Sequence, residues 1–565
     1  MSGYFSTLNT ALKALQVQKK SLDVTGHNIA NANTEGYSRQ RAVQSSTAPY
    51  HTVGMGTPTG AGQVGTGVEI TEITRMRDQF LDAQINEETQ SQGYWDKRYE
   101  GLHRIELIFN EPSDSSLGTI MNQFWSSLQD LSNNPEDPAV RETVKQTGLT
   151  LADTFHSLNN QLTDYQGALN DDVSTMVDEV NSIASRLADL NIQIVELKGS
   201  GKNPNDLLDK RSMLLEDLNK IVNVQSREDE RGNLNVSLGG VALVSDDRVH
   251  EIEYDNDVVS FKETGIEAKI DKNEAGGELG GIIDIRDKDI NNYLGRLNQL
   301  AETFTEEFNT VHQAGYDYNG NIGEDFFVGD STGTINAETI NISNDIINDV
   351  NKIAAGGLVY DSDVVTINDI QNNLDGHTYE FKVRENTTDL NIKFNYEIIE
   401  RDETGALVGP PYTGGEYTVT QFNNSEEIDT NSLGVAYTLN GRLDFKLNGA
   451  GDFEQIPGTG NGDNATKLAD VIKEKKVFDS GNSTMLNYYK STIASIGVEG
   501  QRANQMVNNQ SVLVDQLNNQ RISVSGVSLD EEMANMIQYQ QAYNAASKVV
   551  VTIDEMLNSL MAIIR

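Results

Sequence analysis

Two heptad series, one at each end of the chain, constrain this sequence more than anything else in it. Near the N-terminus Leu8, Leu15, Leu22 and Ile29 recur every seven residues, with Phe5 and Leu12 at the intermediate position. Near the C-terminus Met536, Tyr543, Val550, Leu557 and Ile564 form one series, and Tyr539, Ala546, Ile553 and Leu560 form a second, offset by three. Apolar residues spaced by threes and fours mark one stripe of an α-helix. At 1.5 Å per residue the C-terminal helix would be about 55 Å long and the N-terminal one about 40 Å. Ser528-Leu529-Asp530-Glu531 reads as a capping box for the second, with acidic groups on the positive end of its dipole. Isolated helices with narrow apolar stripes are marginal in water, so both need partners. They either pair with each other as an ordinary intramolecular pair or stay loose until they meet neighbouring subunits.

Charge separates the ends from the middle. The 565 residues carry 43 basic and 85 acidic side chains, a net of −42. Phosphate binding needs a surplus of Lys and Arg, so nucleic acid is excluded as a main partner and an anionic membrane surface is disfavoured. Residues 1–41 nevertheless carry five basic and two acidic groups, and residues 528–565 carry two basic and five acidic ones. The two ends are therefore electrostatically complementary. There is no cysteine, which removes disulfides, thiolate metal sites and cysteine nucleophiles. No apolar run reaches the ~18 residues of a membrane span, so no membrane insertion is expected. Met1-Ser2-Gly3-Tyr4-Phe5 has no basic or apolar signal region, so no cleavable signal peptide is expected.

Long helices continue inward. From Leu151 the apolar positions run through Phe155, Leu158, Leu162, Tyr165, Leu169, Val173, Met176, Val180, Ile183, Leu187, Leu190, Ile194 and Leu197. Steps of four and three alternate, with one repeated four at 165–169–173, a stutter. Further heptad runs span Ile290 to Val311 and Leu486 to Leu517, and shorter helices are expected at 75–110 and 116–131. Alternating residues about 226–270 read as a small β insert. Residues 334–460 read as a larger β domain, with Asn440-Gly441 as its clearest hairpin turn and Gly409-Pro410-Pro411 as an exposed loop. The expected fold is α+β and multidomain. Residues 1–45 with 525–565 form a coiled-coil-like terminal helical domain. Residues 75–330 with 463–522 form a helical rod built from both flanks, and 334–460 an inserted all-β domain that projects from the end opposite the termini.

Chemistry is harder to find. The seven histidines are scattered without close pairs. Gly329-Asp330-Ser331-Thr332-Gly333 matches a nucleophile elbow, but no helical period follows it. Gly60-Ala61-Gly62-Gln63-Val64-Gly65 matches a dinucleotide fingerprint, yet Val68-Glu69-Ile70 alternates like a strand. Asp317-Tyr318-Asn319-Gly320-Asn321 opens like a calcium loop, but Ile322 and Val328 stand where glycine and glutamate are needed, so a tight Asn-Gly turn is the better account. No catalytic, cofactor or metal residues are assigned, and the chain is not read as an enzyme.

The run Leu22-Asp23-Val24-Thr25-Gly26-His27-Asn28-Ile29-Ala30-Asn31-Ala32-Asn33-Thr34-Glu35-Gly36-Tyr37-Ser38-Arg39 resembles the N-terminal signature of bacterial flagellar axial proteins. Asn28, Asn31, Asn33, Thr34, Gly36 and Tyr37 carry it; Asn31, Asn33 and Gly36 are residue types that tolerate left-handed backbone and end a helix. The ending, Gly526-Val527-Ser528-Leu529-Asp530-Glu531-Glu532 through Gln540-Gln541-Ala542-Tyr543 and Ile553-Asp554-Glu555-Met556-Leu557, is similar to the hook-associated group that joins hook to filament. These motifs cover roughly the first 40 and last 40 residues.

The resemblance implies a structural protein exported unfolded by the flagellar type III apparatus, with targeting information in an uncleaved N-terminus. It implies an export chaperone on the C-terminal helix and a cytoplasmic pool before export. Outside the cell it implies a ring of copies on the hook protein, with a second hook-associated junction protein and the filament above. The heptad residues would then bury against each other and against axial neighbours. A hook or distal-rod protein, or flagellin, is the same-class alternative. A surface adhesin using the β domain and a Ser331 hydrolase are the alternatives of other classes.

Overall fold

The computed structural model describes residues 2–47, 65–270, 276–357, 460–478 and 481–564, together with strands lying between 358 and 459. In chain order the helices are α1 (Ser2–Ala30), α2 (Gln79–Phe109), α3 (Leu117–Asn133), α4 (Pro138–Gly199), α5 (Asn205–Ile221), α6 (Gly277–Asp284), α7 (Asn291–Gln313), α8 (Asn344–Asn348), α9 (Asp463–Lys473), α10 (Met485–Ser525) and α11 (Leu529–Ile564). Strands β1 (Gln40–Ser46) and β2 (Val68–Arg75) follow α1. Between α5 and α6 lie β3 (Val224–Glu228), β4 (Leu234–Leu238), β5 (Val241–Ser245), β6 (Arg248–Val249), β7 (Ile252–Asp255) and β8 (Val258–Phe261). The fold is α+β, mostly helical with small antiparallel sheets.

Helix α4 is a single 62-residue helix. Pro138 opens it, where a missing N–H costs nothing, and the next proline, Pro204, follows its end. Leu151, Phe155, Leu158, Leu162, Leu169, Val173, Val180, Ile183, Leu187 and Ile194 are all buried, as their spacing requires. Beyond the stutter the buried face widens to take in Val177, Ala184, Ala188 and Asn191.

The chain forms two compact units. The first comprises Met1–His103, Gln166–Asp289 and Glu499–Arg565. In it α1 packs against α11 and against the β1–β2 hairpin, whose antiparallel register runs from Gln40↔Arg75 to Ser46↔Val68. The alternation expected near 226–270 appears as the sheet β3-β4-β5-β6 and the hairpin β7–β8. Two asparagines of α4 hold these strands. Asn191 bonds both the N–H and the carbonyl of Leu234, and Asn181 does the same at Ile252. A π-turn at Ile285–Ile290, which no spacing announced, follows α6. There buried Arg98 pairs with Asp284 and Asp289, and Tyr94 donates to Asp284 at 2.8 Å. Burial pushes the Asp289 carboxyl up to about 6, against the opposing pull of Arg98.

The second unit comprises Arg104–Tyr165 and Ile290–Val498. Its core is aromatic: Phe124, Phe304, Phe308, Phe326 and Phe327 are fully buried, and the Phe326 and Phe327 rings lie 4.8 Å apart. Asn309 clamps that turn, accepting from the N–H groups of Phe326 and Phe327 and donating to the Phe327 carbonyl. Buried His312 bridges the Glu324 carbonyl and the Ala354 N–H, so Nδ1 donates and Nε2 accepts. Burial lowers its pKa to about 4 and keeps the ring neutral. Arg141 reaches the carbonyls of Pro135 and Ile353.

Within 358–459 the longest strand pair runs from Thr378↔Arg401 to Glu385↔Phe394, and Phe445–Leu447 pairs with Phe453–Gln455. The Asn440-Gly441 turn, the Gly409-Pro410-Pro411 loop, Gly60 to Val64, His51 and His377 lie outside the described residues. The segment Gly329–Gly333 is a turn built on Asp330, whose Oδ1 accepts from the N–H groups of Thr332 and Thr334. Asp317 likewise accepts from the N–H groups of Asn319 and Asn321, closing the expected Asn-Gly turn.

A candidate assembly site where the chain ends meet

Helix α1 ends at Ala30, and the chain turns through residues 31–38 into β1. Among Asn31, Asn33 and Gly36, only Gly36 adopts a left-handed conformation (φ 73°). A Cβ there would also push aside the flexible Met213 side chain, but it is the left-handed backbone that calls for glycine. Thr34 donates from Oγ1 to Asn31 Oδ1, Asn31 donates to the His27 carbonyl at 2.9 Å, and Asn33 is exposed.

Asn28 is the centre of this turn. It is 1% exposed, and its amide forms a two-way bridge with the Gln40 backbone: Nδ2 donates to the carbonyl at 2.9 Å and Oδ1 accepts from the N–H at 3.0 Å. Oδ1 also accepts from the Tyr37 hydroxyl at 2.8 Å. Since that hydroxyl spends its proton on Asn28, His27 Nδ1, 3.0 Å away, is the donor to the Tyr37 oxygen. Burial, reinforced by Asp206, Asp209 and Glu532, pushes the Tyr37 phenol up and keeps it protonated.

Ser38 and Arg39 then tie the turn to the rest of the unit. Ser38 donates from both N–H and Oγ to buried Asp209 on α5, at 3.0 and 2.8 Å. Arg75 of β2 binds the same carboxylate at 2.9 Å. Arg39 donates its N–H to the Ser525 carbonyl at 2.8 Å. Its guanidinium pairs with Glu532 at 2.7 Å and Glu531 at 2.9 Å, in the first turn of α11. The charge complementarity of the two ends is thus realised at one arginine. It also alters the expected capping box. Ser528 Oγ accepts from the Glu531 N–H at 3.5 Å, but the Glu531 side chain goes to Arg39 instead of returning to Ser528.

The heptad residues take graded positions. Leu8, Leu15, Leu22 and Ile29 are half-buried, whereas Ala11, Val17, Ser21, Val24 and Asn28 are buried. Ser21 and Asn28 bond to Gln44 and Gln40, so the deepest side of α1 faces the hairpin. Strand β1, Gln-Arg-Ala-Val-Gln-Ser-Ser, has its two apolar residues side by side and so carries no alternation that would announce it. On α11, Ile553 is buried, Met536, Tyr539, Ala546, Val550 and Leu557 are half-buried, and Tyr543 is 36% exposed. The side chains of Phe5, Leu560 and Ile564 lie outside the described residues. Leu529, one heptad before Met536, is exposed, and away from that face α11 leaves Met533, Ile537, Val549, Val551 and Met556 exposed. Beside the turn a cleft of about 470 Å³ opens between residues 32–38, Met213 of α5 and Ile522 at the end of α10. Among the described residues no cluster fit to hold a metal ion occurs, and no helix is long and apolar enough to cross a membrane.

This meeting of chain ends has counterparts in known families. Residues 8–37 match the model of the flagella basal body rod protein, and residues 518–563 match the C-terminal model of the flagellar basal body rod FlgEFG proteins. Both ends are thus similar to those of flagellar basal body rod proteins. Between them, residues 102–327 match the helical domain of the flagellar hook-associated protein FlgK. Flagellar hook-associated protein 1 of Bacillus subtilis is 31% identical across 99% of this chain and 98% of its own length. That of Escherichia coli is 30% identical across 99% of this chain and 100% of its own length. The solved structure of the flagellar hook junction protein FlgK from Burkholderia pseudomallei aligns with a TM-score of 0.56 at 16% identity, covering 78% of this chain and all of that one, and shows a shared fold. The chain belongs to the flagellar hook-associated protein 1 family. Its place is therefore the bacterial flagellum.

Proposed function

We propose that this protein is a non-enzymatic junction piece that joins hook to filament. It leaves the cell unfolded through the flagellar type III apparatus, a chaperone having held its C-terminal helix in the cytoplasm. Outside, copies form a ring on the hook tip, and a second hook-associated protein and then the filament assemble above it. Helices α1 and α11 pair as a coiled-coil-like terminal domain, with Leu8, Leu15, Leu22, Ile29, Met536, Tyr539, Tyr543, Val550, Ile553, Leu557, Leu560 and Ile564 burying against each other and against neighbouring subunits. The observation that carries this reading is the anchoring of both chain ends at Arg39, beside a helix that leaves several large apolar side chains uncovered. Burying each such side chain is worth roughly 1.5–3 kcal/mol, and a ring of copies multiplies that.

The test is complementation of a strain lacking the gene. Ile553→Asp places a carboxylate at a position 5% exposed, which the paired helices cannot accommodate. Cells carrying it should bear hooks without filaments and shed filament subunit into the medium, while circular dichroism of the purified variant shows the rest of the chain folded. Filaments of normal length on these cells would refute the assignment of the terminal helices.

A further inference from the structure

Among the described residues, the exposed sulfur of this chain lies in a single helix. Of the 12 methionines, four fall in α11: Met533, Met536, Met556 and Met561. Met533, Met556 and Met561 are 50%, 51% and 67% exposed, and no other methionine is exposed among the described residues. Met121 and Met485, in contrast, are 1% and 0% exposed. Met533 shares a side of α11 with Ile537 and Val551, the latter 18 residues on and so five helical turns above it. Met556 stands two turns beyond exposed Val549. With no cysteine in the chain, these three thioethers are the sulfur atoms most open to an oxidant in solution among the described residues.

We infer that Met533, Met556 and Met561, each exposed on a different side of α11, are separate oxidation sites for peroxide-class oxidants. The thioether sulfur attacks one oxygen of hydrogen peroxide. The O–O bond breaks as the S–O bond forms, the sulfur becomes a sulfoxide, and the peroxide is reduced to water. Each event turns a flexible apolar group into a polar, chiral one. On α11 that change puts a polar group beside exposed Ile537 at Met533 and beside exposed Val549 at Met556, so oxidation blocks docking of the helix against its neighbours. A thiol-dependent methionine sulfoxide reductase reverses it, returning the sulfide with release of water and formation of a disulfide in the reductant. The sites themselves stand on exposure alone, whereas their consequence for docking rests on the junction reading.

The experiment treats the full-length chain with hydrogen peroxide, follows each methionine by peptide mass spectrometry, and scores decoration of purified hooks by electron microscopy. Met533, Met556 and Met561 should be converted first and Met121 and Met485 last, with hook decoration lost in step and regained after reductase treatment. The triple variant M533L/M556L/M561L, which keeps the apolar surface, should decorate hooks before and after peroxide alike. Conversion of the buried methionines as early as the exposed three would overturn the sites. Undiminished decoration by the oxidised chain, or loss of decoration by the oxidised triple variant, would overturn the consequence. If the untreated chain fails to decorate hooks, the junction reading falls instead, and the order of oxidation still decides the sites.

Discussion

Replacing Arg39 should loosen both chain ends by more than replacing its buried partner does. The guanidinium is 25% exposed, and Glu532 beneath it is 3% exposed at 2.7 Å. Arg39→Ala strands a buried carboxylate. Breaking a buried pair costs 3–5 kcal/mol in general, but Glu532 keeps the favourable field of the α11 N-terminus, so about 2 kcal/mol is expected here. Glu532→Ala leaves an arginine that can turn to water and keep Glu531, so about 1 kcal/mol is expected. The double variant should then sit near the Glu532→Ala value and well short of the sum, because once the carboxylate is gone the arginine has little left to compensate. Native-state hydrogen exchange reads this locally, at the Arg39 amide bonded to Ser525 and in the first turns of α11. Protection there should fall roughly 30-fold for Arg39→Ala and roughly 5-fold for Glu532→Ala, taking 1.4 kcal/mol as tenfold. Additivity of the two single changes within about 0.5 kcal/mol would refute the coupling. So would a larger loss from Glu532→Ala than from Arg39→Ala.

Other expectations follow from the same geometry. Gly36→Ala should cost about 1–2 kcal/mol for a left-handed alanine plus the displacement of Met213; the thermal midpoint should fall, and adding Met213→Ala should restore only the steric part. His312 sets an acid limit on the second unit. Its folded pKa of about 4 lies below the unfolded value near 6.5, so its contribution is fully present above pH 6.5 and is lost as the pH falls towards 4. That shift corresponds to about 3 kcal/mol, and a His312→Gln variant, measured by urea unfolding across this range, should lack that part of the pH slope. Asn309→Ala removes a side chain that satisfies three backbone groups at Phe326 and Phe327, and should destabilise the second unit by about 3 kcal/mol in the same assay.

What the sequence made legible was what repeats. The long apolar stripe of α4, the terminal helices and the charge contrast between the ends all rest on local periodicity or composition, and each has a direct structural counterpart. What it hid depends on contacts between distant residues. Asp209, the buried carboxylate on which Ser38 and Arg75 converge, lies 171 residues beyond Ser38 and looks like any other acid of an acidic chain. The π-turn at 285–290 is held by Arg98 from another helix, so nothing in its own spacing signals it. On α1 the regularly spaced leucines are only half-buried, and the deepest side carries Val17, Ser21, Val24 and Asn28, because the β1–β2 hairpin covers it and bonds to two of them. A polar residue on a helix reads as surface until the strand that satisfies it is in place.

That polarity has a physical use. A seven-residue repeat decides which faces of two helices meet, but a slip of one heptad presents the same residue types again, so the repeat alone leaves the axial position open. Directional groups remove the ambiguity. The Asn28 amide fits the Gln40 backbone in one place, and the Arg39 backbone and side chain bind Ser525 and Glu532 together, fixing the start of α11 relative to the end of α1. Sliding α1 by a turn, about 5.4 Å, would take Asn28 from its Gln40 partners, and sliding α11 would take buried Glu532 from Arg39. The penalty for such groups exceeds what a half-buried leucine could return. The polar turn between Asn28 and Arg39 therefore selects a single register between the end of α1 and the start of α11.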